Sequence, residues 1–251
     1  MLQLVILGTS YAIPDEDHEN THMVLVGRQR MVLIDCTGHP TVRLRQAGVN
    51  FRQLTDIILT HFHPDHISSV APFLMNLWLL GREAPLHIHG LADTIDRTEQ
   101  ILELYDWKTW PGFFPVEFHR LPEEELVTVL ESEEMRIQAS PVRHIIPTIG
   151  LRMESLASGA SVVYSGDTEP CPQVVRLAQG SRVLIHEASG ASFGHSSASQ
   201  AGEIAQAAGA SQLYLIHYPT IGLQADRLIA AARDTYRGPV KLAIDLMQLD
   251  F

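Results

Sequence analysis

The chain has 251 residues, 45% hydrophobic and 19% charged, an ordinary globular composition that can bury a full core. It carries 18 basic and 29 acidic residues, a formal charge of −11, with no like-charge run longer than Glu123-Glu124-Glu125. Such a solvated acidic surface argues against broad gripping of a nucleic-acid backbone, where Lys and Arg neutralise phosphates. Two cysteines, Cys36 and Cys171, with no Cys-X-X-Cys pair, exclude a disulfide scaffold and a zinc knuckle, and no apolar run reaches membrane-spanning length.

Taken in order, residues 2–7 read as a strand ending at Gly8-Thr9-Ser10. The run is too short for a signal peptide and lacks its basic flank, so a cytoplasmic protein is expected. Strands follow over 23–26 and 31–34, then a helix over 40–46 with Gly48 just past its end. Residues 56–60 form the next strand, and an apolar helix is expected over 67–80. A strand over 86–90 carries His87 and His89, and a helix over 91–105 leads to the aromatic stretch 107–115, which is broken by Pro and Gly. That stretch reads either as a loop packed on the core or as a lid or dimer surface. Short strands are expected over 117–121, 126–130, 135–142, 148–153 and 161–165. From there helices (172–178, 197–208, 224–236) alternate with strands (182–185, 212–216, 240–244). No Gly-, Ser- or Pro-rich linker divides the chain, so a single domain over 1–251 is expected. Two packed sheets with helices outside, an α/β sandwich of four αββα layers, is the simplest solution.

The chemistry concentrates at residues 60–66, Thr-His-Phe-His-Pro-Asp-His. His61, His63, Asp65 and His66 all ligate metals. One His-X-His is unremarkable in a chain with 13 histidines. Four donors in six positions, where a strand passes into a helix with Pro64 at its first position, are hard to explain structurally. His61 and His63 converge on one point at a strand end, and Asp65 and His66 aim at a neighbouring one, which suits two ions better than one. Three further donors each follow an apolar strand: His144, Asp167 and His217. Seven ligands are enough for two ions, and the two oxygens of Asp167 allow it to bridge them. Imidazole and carboxylate without thiolate favour two Zn²⁺; Mn or Fe accept the same donors. His87 and His89 repeat the spacing but lack a following Asp-His.

The motif His61-Phe-His63-Pro-Asp65-His66, followed by His144, Asp167 and His217 in that order, resembles the metallo-β-lactamase fold, and most closely its ribonuclease Z branch and related phosphodiesterases. The likeness spans nearly the whole chain, including Gly8-Thr9, Asp35-Cys36, Ser165-Gly166-Asp167-Thr168, His186-Glu187-Ala188 and His195-Ser196-Ser197-Ala198. The resemblance implies that His61, His63 and His144 hold one zinc, that Asp65, His66 and His217 hold the other, and that Asp167 bridges. It also implies that His195 donates a proton to the leaving group. Asp35 is expected to accept an N–H from a ligand imidazole and fix its tautomer.

The chain departs from the branch in places. Members that process tRNA 3′ ends carry a long arm between the segments matching His144 and Asp167, and the short connection here has no room for one. The Gly-Glu-Gly expected after the strand Asp is Thr37-Gly38-His39, and Glu19 stands where an Arg is expected. These departures and the acidic charge favour a small phosphodiester over tRNA. A ribonuclease Z-type tRNA 3′ endonuclease and a lactonase or thioesterase on the same metals are the alternatives. In either case Asp65 orients the attacking water. The apolar helix 67–80 carries more apolar surface than one face needs, so a homodimer is a further expectation.

Overall fold

A loop over 9–21 joins the first two strands and a tight turn over 27–30 the next two, and connections without a crossover helix make antiparallel pairs. Within residues 2–251, which the computed structural model describes, β1 (Gln3–Gly8), β2 (His22–Val26) and β3 (Met31–Ile34) pair in that way. From β3 to β6 every connection is helical and the strands turn parallel. α1 (Pro40–Gln46) leads to β4 (Asp56–Ile58); α2 (Pro64–Ile67) and α3 (Val70–Leu79) lead to β5 (Leu86–Leu91); α4 (Ala92–Glu103) leads to β6 (Val116–Leu121).

The second half repeats this plan. β7 (Val127–Glu131), β8 (Met135–Val142), β9 (Thr148–Ser155) and β10 (Ser161–Tyr164) are antiparallel. α5 (Pro172–Leu177), α6 (Ala198–Ala208) and α7 (Ala225–Arg233) then connect β10 to the parallel strands β11 (Val183–Glu187), β12 (Leu213–Ile216) and β13 (Val240–Leu242). The chain ends in β14 (Gln248–Asp250), which returns to the first sheet beside β1. The sheet orders are β14-β1-β2-β3-β4-β5-β6 and β13-β12-β11-β10-β9-β8-β7.

Strand alternation sorts side chains into three cores. Leu4, Ile6, Ile58, Leu151, Tyr164 and Ile185 fill the space between the sheets. Val5, Leu7, Ile57 and Leu59 point the other way, toward Phe73, Leu74 and Leu77 of α3. Val163, Leu184 and Leu215 face α5 and α6 on the far side. The layers are therefore helix, sheet, sheet, helix, the expected αββα sandwich. Among the described residues no helix is long and apolar enough to cross a membrane.

One local difference from expectation has a physical reason, and one open alternative is resolved. The helix expected over 67–80 breaks at Ser68-Ser69, because Ser69 N–H donates to Cys36 O at 3.0 Å and Ser69 Oγ to Gly38 O at 2.6 Å. Both bonds divert Ser69 to the loop after β3 and separate α2 from α3. The aromatic stretch packs on the helix-side core: Trp107 and Phe114 are buried, and Trp110 stacks on Trp78 at 5.2 Å between centroids.

In open α/β sheets, ligands bind outside the carboxyl ends of the strands. Here the parallel strands of both sheets end at one edge of the sandwich. β3 leads to Asp35, β4 leads to His61, β10 leads to Asp167, β11 ends at Glu187, and β12 leads to His217.

Candidate metal centre

Two donor groups form at that edge. In the first, His61 Nε2 lies 3.0 Å from His63 Nδ1, and His144 Nε2 lies 3.1 Å from the same atom. In the second, Asp65, His66, Asp167 and His217 turn one atom each toward a common point. His217 Nε2 is 3.4 Å from Asp65 Oδ2 and 3.5 Å from Asp167 Oδ2, and His66 Nε2 is 3.5 Å from each of those oxygens. Asp167 Oδ2 also lies 3.8 Å from His61 Nε2, so one carboxylate stands between the groups. All seven residues singled out in the sequence come together. His87 and His89 do not reach this centre.

The backbone is shaped to bring these donors in. His63 caps α2 in extended conformation with Pro64 at the first helical position, so Asp65 and His66 fall in the first turn. Gly166 has φ +63°, and a Cβ there would lie 2.5 Å from Ile149 O, so only glycine passes the chain from β10 to Asp167. Asp35 and His217 are themselves left-handed, with φ of 60° and 51°. Such backbone strain in non-glycine residues persists where the surroundings hold it, and it clusters at working sites.

In four of the five donor imidazoles the second nitrogen is committed. His66 Nδ1–H donates to Asp35 Oδ2 at 2.8 Å. His61 Nδ1–H donates to Thr60 Oγ1 at 3.0 Å, and that hydroxyl is within 3.0 Å of Asp35 Oδ1, so Asp35 orients two rings. His144 Nδ1–H donates to Gly194 O at 2.6 Å, and Gly194 N–H is held by Glu169 at 3.0 Å. His217 Nδ1 lies 3.1 Å from Ser189 Oγ. These partners fix the tautomers that leave Nε2 lone pairs facing inward.

The electrostatics favour a cation. Burial pushes the His61, His63 and His144 imidazoles below their usual value, most strongly for His61, so they are neutral and able to ligate. Burial opposes the charge on Asp167, but the neighbouring His217 and His66 outweigh it and hold the carboxyl well below its usual range. Asp65 is likewise held at about 2, against burial, by its bond to His217 and the nearby imidazoles. At His66 burial is overridden the other way: Asp167 and Asp35 push it well above the usual imidazole value. The carboxylates thus create a spot that draws positive charge. Two buried polar atoms here, His66 Nε2 and Asp167 Oδ1, lack any hydrogen-bond partner among the described residues. Buried polar atoms are rarely left unpaired, and a divalent ion among these donors satisfies the centre.

Beside the donors, His195 Nδ1–H donates to Glu187 Oε1 at 2.9 Å. Glu187 is fully buried, and it also accepts from Thr168 N–H at 2.9 Å and from Ser189 N–H at 3.0 Å. Burial lowers the His195 value, and the Glu187 carboxylate outweighs it and raises it. The His195 ring lies 4.8 Å from His144, edge to face, and 6.0 Å from His217, stacked, between centroids. Sequence reasoning left Glu187 without a role. Its signal was the one that marked the other donors, an ionisable residue at the carboxyl end of an apolar strand.

Comparison with known proteins agrees with this architecture. The model of the β-lactamase superfamily domain matches residues 30–218. Ribonuclease Z of Methanothermobacter thermautotrophicus is 28% identical over 306 aligned positions that cover 100% of this chain and 97% of the relative. Ribonuclease Z of Mycobacterium bovis is 30% identical over 283 positions covering 100% and 98%. Among solved structures, the metallo-β-lactamase fold protein YhfI of Bacillus subtilis matches with a TM-score of 0.81 at 22% identity, covering 99% of this chain and 98% of its own. A diphosphatase of the PhnP family matches with 0.73 at 20%, covering 100% and 98%. Fold and site together define a metal-dependent hydrolase. The chain belongs to the β-lactamase superfamily, on its ribonuclease Z-like branch.

Proposed function

We propose that the chain is a dinuclear zinc phosphodiesterase acting on a small phosphodiester. The observation that carries this is the pair of donor groups meeting at Asp167. In this reading His61, His63 and His144 hold one ion, Asp65, His66 and His217 hold the other, and Asp167 serves both. The nitrogen and oxygen donors suit zinc, and manganese or iron remain compatible. When bound, two such ions supply a water acidic enough to ionise near neutral pH and neutralise charge on phosphoryl oxygens. The remaining work falls to side chains. Asp65 accepts a hydrogen bond from the attacking water and aims it. His195 donates a proton to the departing alkoxide. Glu187 holds the His195 ring with Nε2 free for that transfer.

The small substrate is supported by what separates His144 from Asp167. That connection is only the β9–β10 hairpin and its turn. The archaeal relative aligns over 306 positions against 251 residues here, so 55 of its positions have no counterpart in this chain. An open groove of about 410 Å³ beside His144, lined by Arg143, Ile146 and Gln173, has the size of a small-ligand site. A second reading, tRNA 3′ cleavage, is favoured by the names of the two curated relatives.

The test is a panel containing bis-p-nitrophenyl phosphate, 2′,3′-cyclic nucleotides, an acyl lactone and a precursor tRNA, each with the zinc-loaded chain. Turnover of the small diesters with little on tRNA or lactone is expected. Efficient tRNA cleavage with inert small diesters overturns the substrate class, and lactone as the best substrate overturns phosphodiester chemistry. Asp167→Ala is expected to lose bound metal and hydrolysis together; a variant that keeps both ends the metal assignment. The same reading takes the enzyme as cytoplasmic, supported by two free, buried cysteines, and as a homodimer, supported by exposed Leu79 and Leu80 at the end of α3. Light scattering checks the latter, and a monomeric mass at high concentration removes it.

A further inference from the structure

The second His-X-His has its own partner. β5 and β6 are parallel, with His87 opposite Glu117 and His89 opposite His119. All four side chains therefore emerge on one face. His87 Nδ1 lies 3.1 Å from His119 Nε2, the spacing found in the first donor group of the main centre. The Glu117 carboxylate has no hydrogen bond among the described residues; its Oε2 faces those two nitrogens at 3.4 and 4.0 Å. His89 does not compete as a donor. Its Nε2–H donates to Asp56 Oδ1 at 3.0 Å, and its ring stacks on His119 at 4.6 Å and 16°. The second layer is thus built: Asp56 fixes His89, and His89 fixes the plane of His119.

We propose that His87, Glu117 and His119 form a separate binding site for a first-row divalent cation, with zinc as its natural occupant. Two imidazoles and one carboxylate reject magnesium and calcium, which require oxygen donors. Nitrogens each bound at about 2.0–2.1 Å to a tetrahedral zinc lie about 3.4 Å apart, so the observed spacing closes on an ion with little movement. The side chains are 29%, 55% and 42% exposed, which leaves the fourth position to water or to a donor from outside. The site is remote from the main centre. It lies where β5 and β6 begin, whereas the main donors follow the strand ends. Asp56, beside the cluster, is five residues before His61, roughly 15 Å along an extended strand. β6 is the last strand of its sheet, so an ion here clips the edge strand to its neighbour.

The test compares the metal-depleted full chain with His119→Ala and Glu117→Ala by zinc titration, counting equivalents per chain and following Tm. These side chains are exposed enough that folding is not at stake. The expected result is one equivalent fewer in His119→Ala, affinity for that equivalent at least about tenfold weaker in Glu117→Ala, and loss of the last zinc-dependent rise in Tm. Ester hydrolysis is expected to be unchanged in both. The readout is the difference between chains, so it stands whatever number of ions the main centre holds. Equal stoichiometry and equal Tm response in wild type and His119→Ala overturn the proposal and leave the 3.1 Å contact as a plain imidazole–imidazole hydrogen bond.

Discussion

Glu187 illustrates how one buried carboxylate organises a site without touching the reacting atoms. It holds Ser189 and His195 at once, with Ser189 reaching on to His217. Replacing His195 with Ala is expected to lower kcat by about 10²–10⁴, the usual contribution of a positioned proton donor, while bound metal stays unchanged. Steady-state kinetics with metal analysis checks both halves; metal loss alongside activity would reassign His195 as a ligand. A second carboxylate acts on stability. Glu134 accepts from the backbone N–H groups of Arg28 (2.9 Å), Gln29 (2.7 Å) and Arg30 (3.3 Å), tying the β2–β3 turn to the start of β8 in the other sheet. Burial raises its carboxyl, but these donors outweigh it and hold the group below the ordinary 4.5. A depressed folded-state value gives stability that is full above the unfolded value and is lost as pH falls through the folded one. Glu134→Gln is therefore expected to cost about 1.5–3 kcal/mol near neutrality. The Tm gap to wild type should close below about pH 4.5; a gap independent of pH would mean that shape, not charge, holds the turn.

At the scale of elements, the donors were legible because each follows an apolar strand, and a strand end is where a sheet presents side chains to a ligand. The same rule explains the two His-X-His pairs. His61 and His63 lie beyond the end of β4, whereas His87 and His89 lie within β5 near its start. Spacing alone does not distinguish these; position along the strand does. Other features depended on long-range contacts that no local pattern carries. The α2–α3 break rests on Ser69 bonding to residues 36 and 38. β14 is only three residues long and exists through pairing with β1, where Gln3 stands opposite Asp250, 247 residues further along the chain. The Glu187–His195 contact joins a strand end to a loop. α6, in contrast, is written locally: Ser197 caps it and Gln200 completes a capping box. Ser197→Ala is expected to cost about 1 kcal/mol. Since the cap follows His195 by two residues, kcat should fall with Tm; unaltered kcat would show that Glu187 alone holds the ring.

Across the whole molecule, the main centre is a seam. His61, His63, Asp65 and His66 belong to the connection after β4 in the first sheet, while His144, Asp167 and His217 follow β8, β10 and β12 in the second. A metal ion held there would join the sheets at one edge. Ligands that bind only the folded state stabilise by mass action, so chelation is expected to lower Tm, and by clearly less in Asp167→Ala. Calorimetry with and without chelator measures this, and an identical drop in both chains would place the stabilising metal elsewhere. The β9–β10 hairpin has a different consequence. Its turn at residues 156–160 follows eight strand residues that begin beside the centre at Thr148, roughly 25 Å away at the strand rise. Extra chain entering there would leave the rows that fix His144 and Asp167 in register. The turn is a socket: a recognition module could be added or removed at that point, changing what the enzyme grips without disturbing how it cuts.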